Sequence, residues 1–144
     1  MNNALLTPRI ITHVRELDSH GRVNLPKALC ESVGINRDEG LKTGMTDDRA
    51  LIAMNPNEIE YFMEQIERNS ECIDTKLRDQ ILFQYDTLLH SQTTAIDEKN
   101  RIIVPKFLRK TLNWEAKTEL EIYGYSKKKQ LFARPFEFKS NRSL

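Results

Sequence analysis

Apolar and polar positions alternate along this chain in a pattern that occurs twice. Leu17, Val23 and Leu25 flank a polar turn, Asp18-Ser19-His20-Gly21, and Ile96, Ile102 and Val104 flank a second one, Asp97-Glu98-Lys99-Asn100. Residues 16–56 lie over residues 95–135 without a gap, at a constant offset of 79. Identical pairs are Asp18/Asp97, Arg22/Arg101, Pro26/Pro105, Lys27/Lys106, Leu29/Leu108, Leu41/Leu120 and Pro56/Pro135. The first five fall within twelve consecutive positions, which is what marks the segment as a duplication. The shared signature is apolar-Asp-x-x-x-Arg-apolar-x-apolar-Pro-Lys-x-Leu.

Each repeat reads as the same series of elements. A short strand enters the turn, where Asp bonds its own backbone and Gly21 or Asn100 tolerates positive φ. A second strand follows at 22–25 and 101–104. Proline then opens a short helix, where its missing N–H costs nothing, over 27–33 and 106–112, with Gly34 or Asn113 closing it in the left-handed region. A hairpin ends each repeat, 41–45 with 50–54 and 120–125 with 131–134, turning at 46–49 and 126–129. The intervening residues 57–94 carry helical periodicity. Asn57 is the expected N-cap of a first helix with Ile59, Phe62, Met63 and Ile66 on one face. A second helix after Asp74 is expected to bury Leu77, Ile81, Tyr85 and Leu88. The resulting division is an N-terminal segment and first strand (1–15), repeat one (16–56), a helical insert (57–94), repeat two (95–135) and a tail (136–144).

A 41-residue unit is near the size below which a chain needs a staple to fold alone. Cys30 and Cys72 have neither CxxC spacing nor a nearby ligand set, so both are expected to be free thiols. The alternative is that each repeat lends strands to the other, giving one intertwined, pseudo-symmetric α+β body. Trp114, opposite Ile35 in the alignment, is expected in its core.

The 144 residues are 39% apolar and 30% charged, enough for a modest core. No apolar run approaches the length of a membrane span, and Met1 to Thr7 lacks the basic and apolar regions of a signal peptide, so a cytoplasmic protein is expected. The net charge of +1 conceals a segregation: repeat one carries −2, the insert −5 and repeat two +5. That polarity points to a basic face built mainly from repeat two.

The residues suited to chemistry are basic. Arg22 and Arg101 leave tight turns at strand starts, and arginine can fork onto phosphate or onto guanine in a major groove wide enough for a β-ribbon. Asp18 and Asp97 either orient them or only cap the turns. Lys27 and Lys106 fall in first helical turns, where backbone N–H groups also favour phosphate. Lys99, Arg109 and Lys110 extend the basic surface, and Lys127, Lys128 and Lys129 form either further phosphate contacts or a solubilising loop. Enzymatic signatures are absent: there is no Gly-rich phosphate loop, HExxH or GxSxG. Cys30 with His13 or His20 has no orienting third group. No enzyme activity, metal or cofactor is expected.

"LDSHGRVNLPKAL" and "IDEKNRIIVPKFLRKTLNW" resemble the AbrB/MazE/SpoVT superfamily of bacterial DNA-binding proteins, and two copies around a helical insert resemble its MraZ family. The resemblance implies a swapped-hairpin β-barrel made from the two repeats, and a nucleoid-associated transcriptional regulator that binds double-stranded DNA as a homo-oligomer, dimer or ring. It implies DNA contacts from Arg22 and Arg101, and from Arg15 by its place three residues before Asp18, where repeat two has Thr94. It also assigns a basic pair late in the helix to Arg109 and Lys110, positions held by Cys30 and Glu31 in repeat one. Asn100 departs from the turn glycine of repeat one. Two rivals remain. One is an antitoxin-like module of the same fold that engages a basic protein partner. The other is a scaffold in which both arginines are internal and buried.

Overall fold

The computed structural model describes residues 12–69, 71 and 74–136. Cys72, the N-terminal segment before Thr12 and the tail beyond Phe136 lie outside the described residues. The elements are β1 (His13–Glu16), β2 (Arg22–Asn24), α1 (Lys27–Ser32), β3 (Leu41–Met45), β4 (Leu51–Met54), α2 (Pro56–Arg68), α3 (Thr75–Leu89), β5 (Thr93–Thr94), β6 (Arg101–Ile103), α4 (Lys106–Leu112), β7 (Glu119–Tyr125) and β8 (Gln130–Pro135). The chain is thus a mixed α+β protein.

Six strands form one antiparallel sheet in the order β1-β7-β8-β4-β3-β5, and β2 and β6 form a separate two-stranded ribbon. The order reads the same after exchanging the repeats. The first strand of repeat one pairs with the third strand of repeat two, Arg15 opposite Leu120, and the reciprocal pair sets Thr94 opposite Leu41. The registers agree at the 79-residue offset, so the two halves interlock about an approximate two-fold axis. It passes between β2 and β6 and between β4 and β8.

The sheet does not close into the expected barrel. Its edges are β1 and β5, and the ribbon forms a strand ladder with neither. Pro26 and Pro105, which have no N–H to donate, stand at the N-caps of α1 and α4. They mark the point where β2 and β6 give way to helix.

Strand β4 shows how the body is layered. All four of its residues are buried, because both faces of the sheet are covered there. Leu51 and Ala53 point into the main core with Leu17, Val23, Leu25, Trp114, Leu120 and Ile122. Ile52 and Met54 face the helical insert, meeting Ile59, Tyr85 and Leu88. The insert departs from expectation at two points. Asn55, not Asn57, caps α2: its side chain accepts the Asn57 N–H, and Pro56 takes the first helical position. Leu77 is 48% exposed rather than packed, because α3 turns only its Ile81, Tyr85 and Leu88 side toward the sheet.

Candidate nucleic-acid interface

Both DxxxR turns fold identically. In the first, Asp18 Oδ1 accepts the N–H groups of His20 and Arg22, both at 2.8 Å, and Oδ2 accepts Arg22 Nε at 2.8 Å. In the second, Asp97 Oδ1 accepts from Lys99 and Arg101 at 2.9 and 2.8 Å, and Oδ2 accepts Arg101 Nε at 2.8 Å. Gly21 and Asn100 occupy the left-handed region at φ 78° and 62°, which lets the chain reverse within four residues. The aspartates respond to these donors. Desolvation pushes the Asp18 carboxyl up, but the Arg22 backbone and side chain and the His20 N–H outweigh it and hold the pKa to about 2. Asp97 is lowered in the same way, chiefly by the Arg101 N–H.

The aspartates both cap the turns and orient the arginines, so the two roles are one arrangement. The arginines are paired without being buried: the side chains of Arg22 and Arg101 keep 30% and 27% of their surface. Each uses Nε on its aspartate. Among the described residues, nothing accepts a hydrogen bond from the Nη nitrogens of Arg101, while Arg22 Nη2 lies 3.5 Å from His20 Nδ1. A fork held by one nitrogen, with the terminal nitrogens outward, is preorganised for a planar or anionic acceptor.

The ribbon brings the two forks together. Arg22 stands opposite Ile103, and Asn24 opposite Arg101. Val23 and Ile102 turn inward and are buried, so these four side chains share the outer face. The Arg101 end gathers residues from both repeats: Arg15 Nε reaches Asn24 Oδ1 at 3.5 Å, Asn24 Nδ2 donates to Lys99 O at 2.8 Å, and Arg37 Nη1 donates to Glu98 O at 3.3 Å. Arg37 carried no motif, and only the folded turn places it here. At the Arg22 end the neighbour is α4. Lys106 and Lys110 are exposed there, and Arg49 Nη2 donates to Thr111 O at 2.5 Å. Lys27, exposed at the start of α1, is its counterpart on the other side.

Arg109 differs from the other candidates. Its Nε donates to Val104 O at 2.9 Å, and its guanidinium lies over Gly21, where a Cβ would come within 2.5 Å of Cζ. It braces the first turn as well as adding charge. The basic surface thus draws on both halves of the chain: interlocking sets Arg15 and Arg37 beside the second turn and Arg109 beside the first. Lys127 and Lys128 are exposed in the β7–β8 turn. Cys30 is a free, buried thiol and Trp114 a core residue, 5% exposed.

A second surface feature lies between α3, the Thr43–Met45 end of β3 and the start of α4. It is an open groove of about 1110 Å3, and its lining includes the exposed apolar residues Met45, Leu77, Phe83, Ile103 and Phe107. Among the described residues no helix is long and apolar enough to cross a membrane. No protein-family model matches the chain, and no curated protein matches its sequence.

Proposed function

We propose that this chain is a sequence-specific double-stranded DNA-binding regulator of transcription, acting as a homo-oligomer. The observation that carries the reading is the outer face of the ribbon, where Arg22 and Arg101 are each anchored by an aspartate and related by the approximate two-fold axis. A two-stranded antiparallel ribbon fits the major groove, and arginine forks match guanine O6 and N7. Arg15, Arg37, Lys99, Lys106 and Lys110 surround that face as phosphate contacts. The exchange of first strands between repeats supports a swapped-hairpin, AbrB-like arrangement, and the tandem motif supports the MraZ-like, nucleoid-associated reading. The role requires no catalytic residue and no cofactor.

Fluorescence anisotropy against a random duplex pool, titrated with salt, tests this. Binding that weakens along a steep log–log slope is the expected result, because each neutralised phosphate releases counterions. A folded protein that binds no duplex at low salt would overturn it.

The apolar groove favours a second reading, a protein-interaction module of the same fold. Its exposed Leu77, Phe83 and Phe107 are a surface suited to another polypeptide. A stoichiometric partner that co-purifies with the wild type and is lost from Phe83→Ser, with no duplex binding, would favour it over the first.

A further inference from the structure

The two ends of the ribbon carry the same arginine and different neighbours. At the Arg101 end the cross-strand partner is Asn24, an amide fixed by Lys99 O on one side and Arg15 on the other. At the Arg22 end the partner is Ile103, which is 53% exposed and has no hydrogen-bonding capacity. Positions 24 and 103 are equivalents in the duplication, so the backbone presents both in the same way to anything lying on the outer face. The flanking strands deepen the contrast, with Arg15 at one end and Thr94 at the other. An approximately symmetric, basic frame therefore sets an amide across from one arginine and an apolar side chain across from the other.

We propose that the ribbon reads DNA with a fixed polarity: Ile103 takes the 5-methyl group of a thymine beside the base contacted by Arg22, and the Arg101 end makes no such contact. The inference rests on the DNA-binding reading of this face. Its chemical basis is that the thymine methyl is the apolar group that base pairs display in the major groove. A branched apolar side chain set directly across from a guanine-reading fork meets that methyl without leaving a polar group unpaired. Asn24 has its Nδ2 engaged on Lys99 O, so it supports Arg15 and the second turn and offers no apolar surface. The preferred site is then not a true palindrome. Its halves share the arginine-contacted base and differ beside it.

The test is a thymine-to-deoxyuracil scan of a duplex selected from a random pool by the full chain, since uracil lacks only the methyl. Wild type should bind about fourfold more weakly, the effect of exposing roughly one methyl, when uracil replaces one thymine in one half-site. The mirrored position should be insensitive. Ile103→Val should keep the effect and Ile103→Asn should abolish it; both change an exposed position, and salt-dependent binding to the unsubstituted duplex shows that the variants are folded. Equal sensitivity in both halves, insensitivity throughout, a selected site without thymine, or an unchanged profile in Ile103→Asn would overturn the polarity while duplex binding itself stands. A folded wild-type protein that binds no duplex would overturn both.

Discussion

Asn100 does in one half of the molecule what Arg109 does in the other. Asn100 Nδ2 donates to Leu25 O at 2.6 Å, and Arg109 Nε donates to Val104 O at 2.9 Å. Leu25 and Val104 are equivalent positions, but the donors are not. In the first turn the side-chain position is empty, at Gly21, and the helix supplies a long side chain to fill it. In the second turn Asn100 supplies the amide, and the helix position opposite is Cys30, whose Sγ lies 3.8 Å from Asn100 Nδ2. Glycine with arginine and asparagine with cysteine are two solutions to one packing problem.

The pairing predicts strong coupling between positions 30 and 100. Asn100→Gly alone removes the donor to Leu25 O and opens a space above Cys30. Cys30→Arg alone drives a guanidinium into the Asn100 amide. Each single change should cost about 1–3 kcal/mol, the range for a lost buried hydrogen bond or an overpacked site. The double variant recreates the other half's solution and should be more stable than the sum of the two predicts. A double-mutant cycle read by urea denaturation checks this, and simple additivity would show that the two sites are independent.

That exchange also explains which parts of the molecule the sequence made legible. The repeat, the turns and the strand order of each repeat follow from local rules, because Asp18 to Arg22 and Asp97 to Arg101 close within five residues. Compensation between Asn100 and Cys30 is invisible locally, since it joins a turn of one repeat to a helix of the other. Charge was legible only in part for the same reason. Counting by segment gives repeat two the larger basic share, and it supplies Lys99, Arg101, Lys106, Arg109 and Lys110; that Arg15 and Arg37 join the second turn and Arg109 the first shows only in the interlocked fold. Leu77 fitted a helical stripe as well as Leu88 does, and only the sheet's position separates them. Closure of the sheet was not legible either: nothing in a pattern of apolar positions says whether β2 and β6 pair with β1 and β5 or only with each other.

Acid should weaken the first turn within a defined window. Asp18 is held to about 2 in the folded protein, against an ordinary value of 3.8. A carboxyl lowered on folding adds stability that is fully present above its unfolded pKa and is lost as pH falls through the folded one. The stability difference between wild type and Asp18→Asn should therefore be constant above about pH 5, shrink between pH 4 and 2, and level off below that. Chemical denaturation at a series of pH values measures it. A difference that stays constant down to pH 2 would show that the carboxylate's charge contributes nothing to the turn.

Arginine at position 101 should not be replaceable by lysine. Nε serves Asp97, leaving the Nη nitrogens for a base edge. A lysine has one ammonium for both tasks. Arg101→Lys and Arg101→Ala should each weaken specific binding by about 1–3 kcal/mol and relax preference at one position. Lys110→Ala should instead weaken all sequences alike and reduce the salt slope by about one. Equal loss on selected and random duplexes for Arg101→Lys would reassign Arg101 to phosphate.

Among the contacts between the helical insert and the sheet, that of Leu88 with Gly44 should carry a large share. Leu88 is 1% exposed and sits over Gly44 of β3, where a Cβ would lie 3.2 Å from Leu88 Cδ2. A glycine there lets α3 settle onto the strand, and Leu88 fills the space with Ile52 and Tyr85. Leu88→Ala removes that filling and should cost about 2–5 kcal/mol, the range for a leucine-sized cavity. Gly44→Ala pushes from the opposite side and should cost less, about 1–3 kcal/mol, because the Leu88 side chain can shift by a few tenths of an ångström. In the double variant Gly44→Ala/Leu88→Ala, the new methyl enters the space the leucine vacated, so the double should be less destabilised than the sum. Thermal denaturation of the three variants decides it: costs that simply add would place Leu88 and Gly44 in separate packing environments and detach α3 from the sheet at this point.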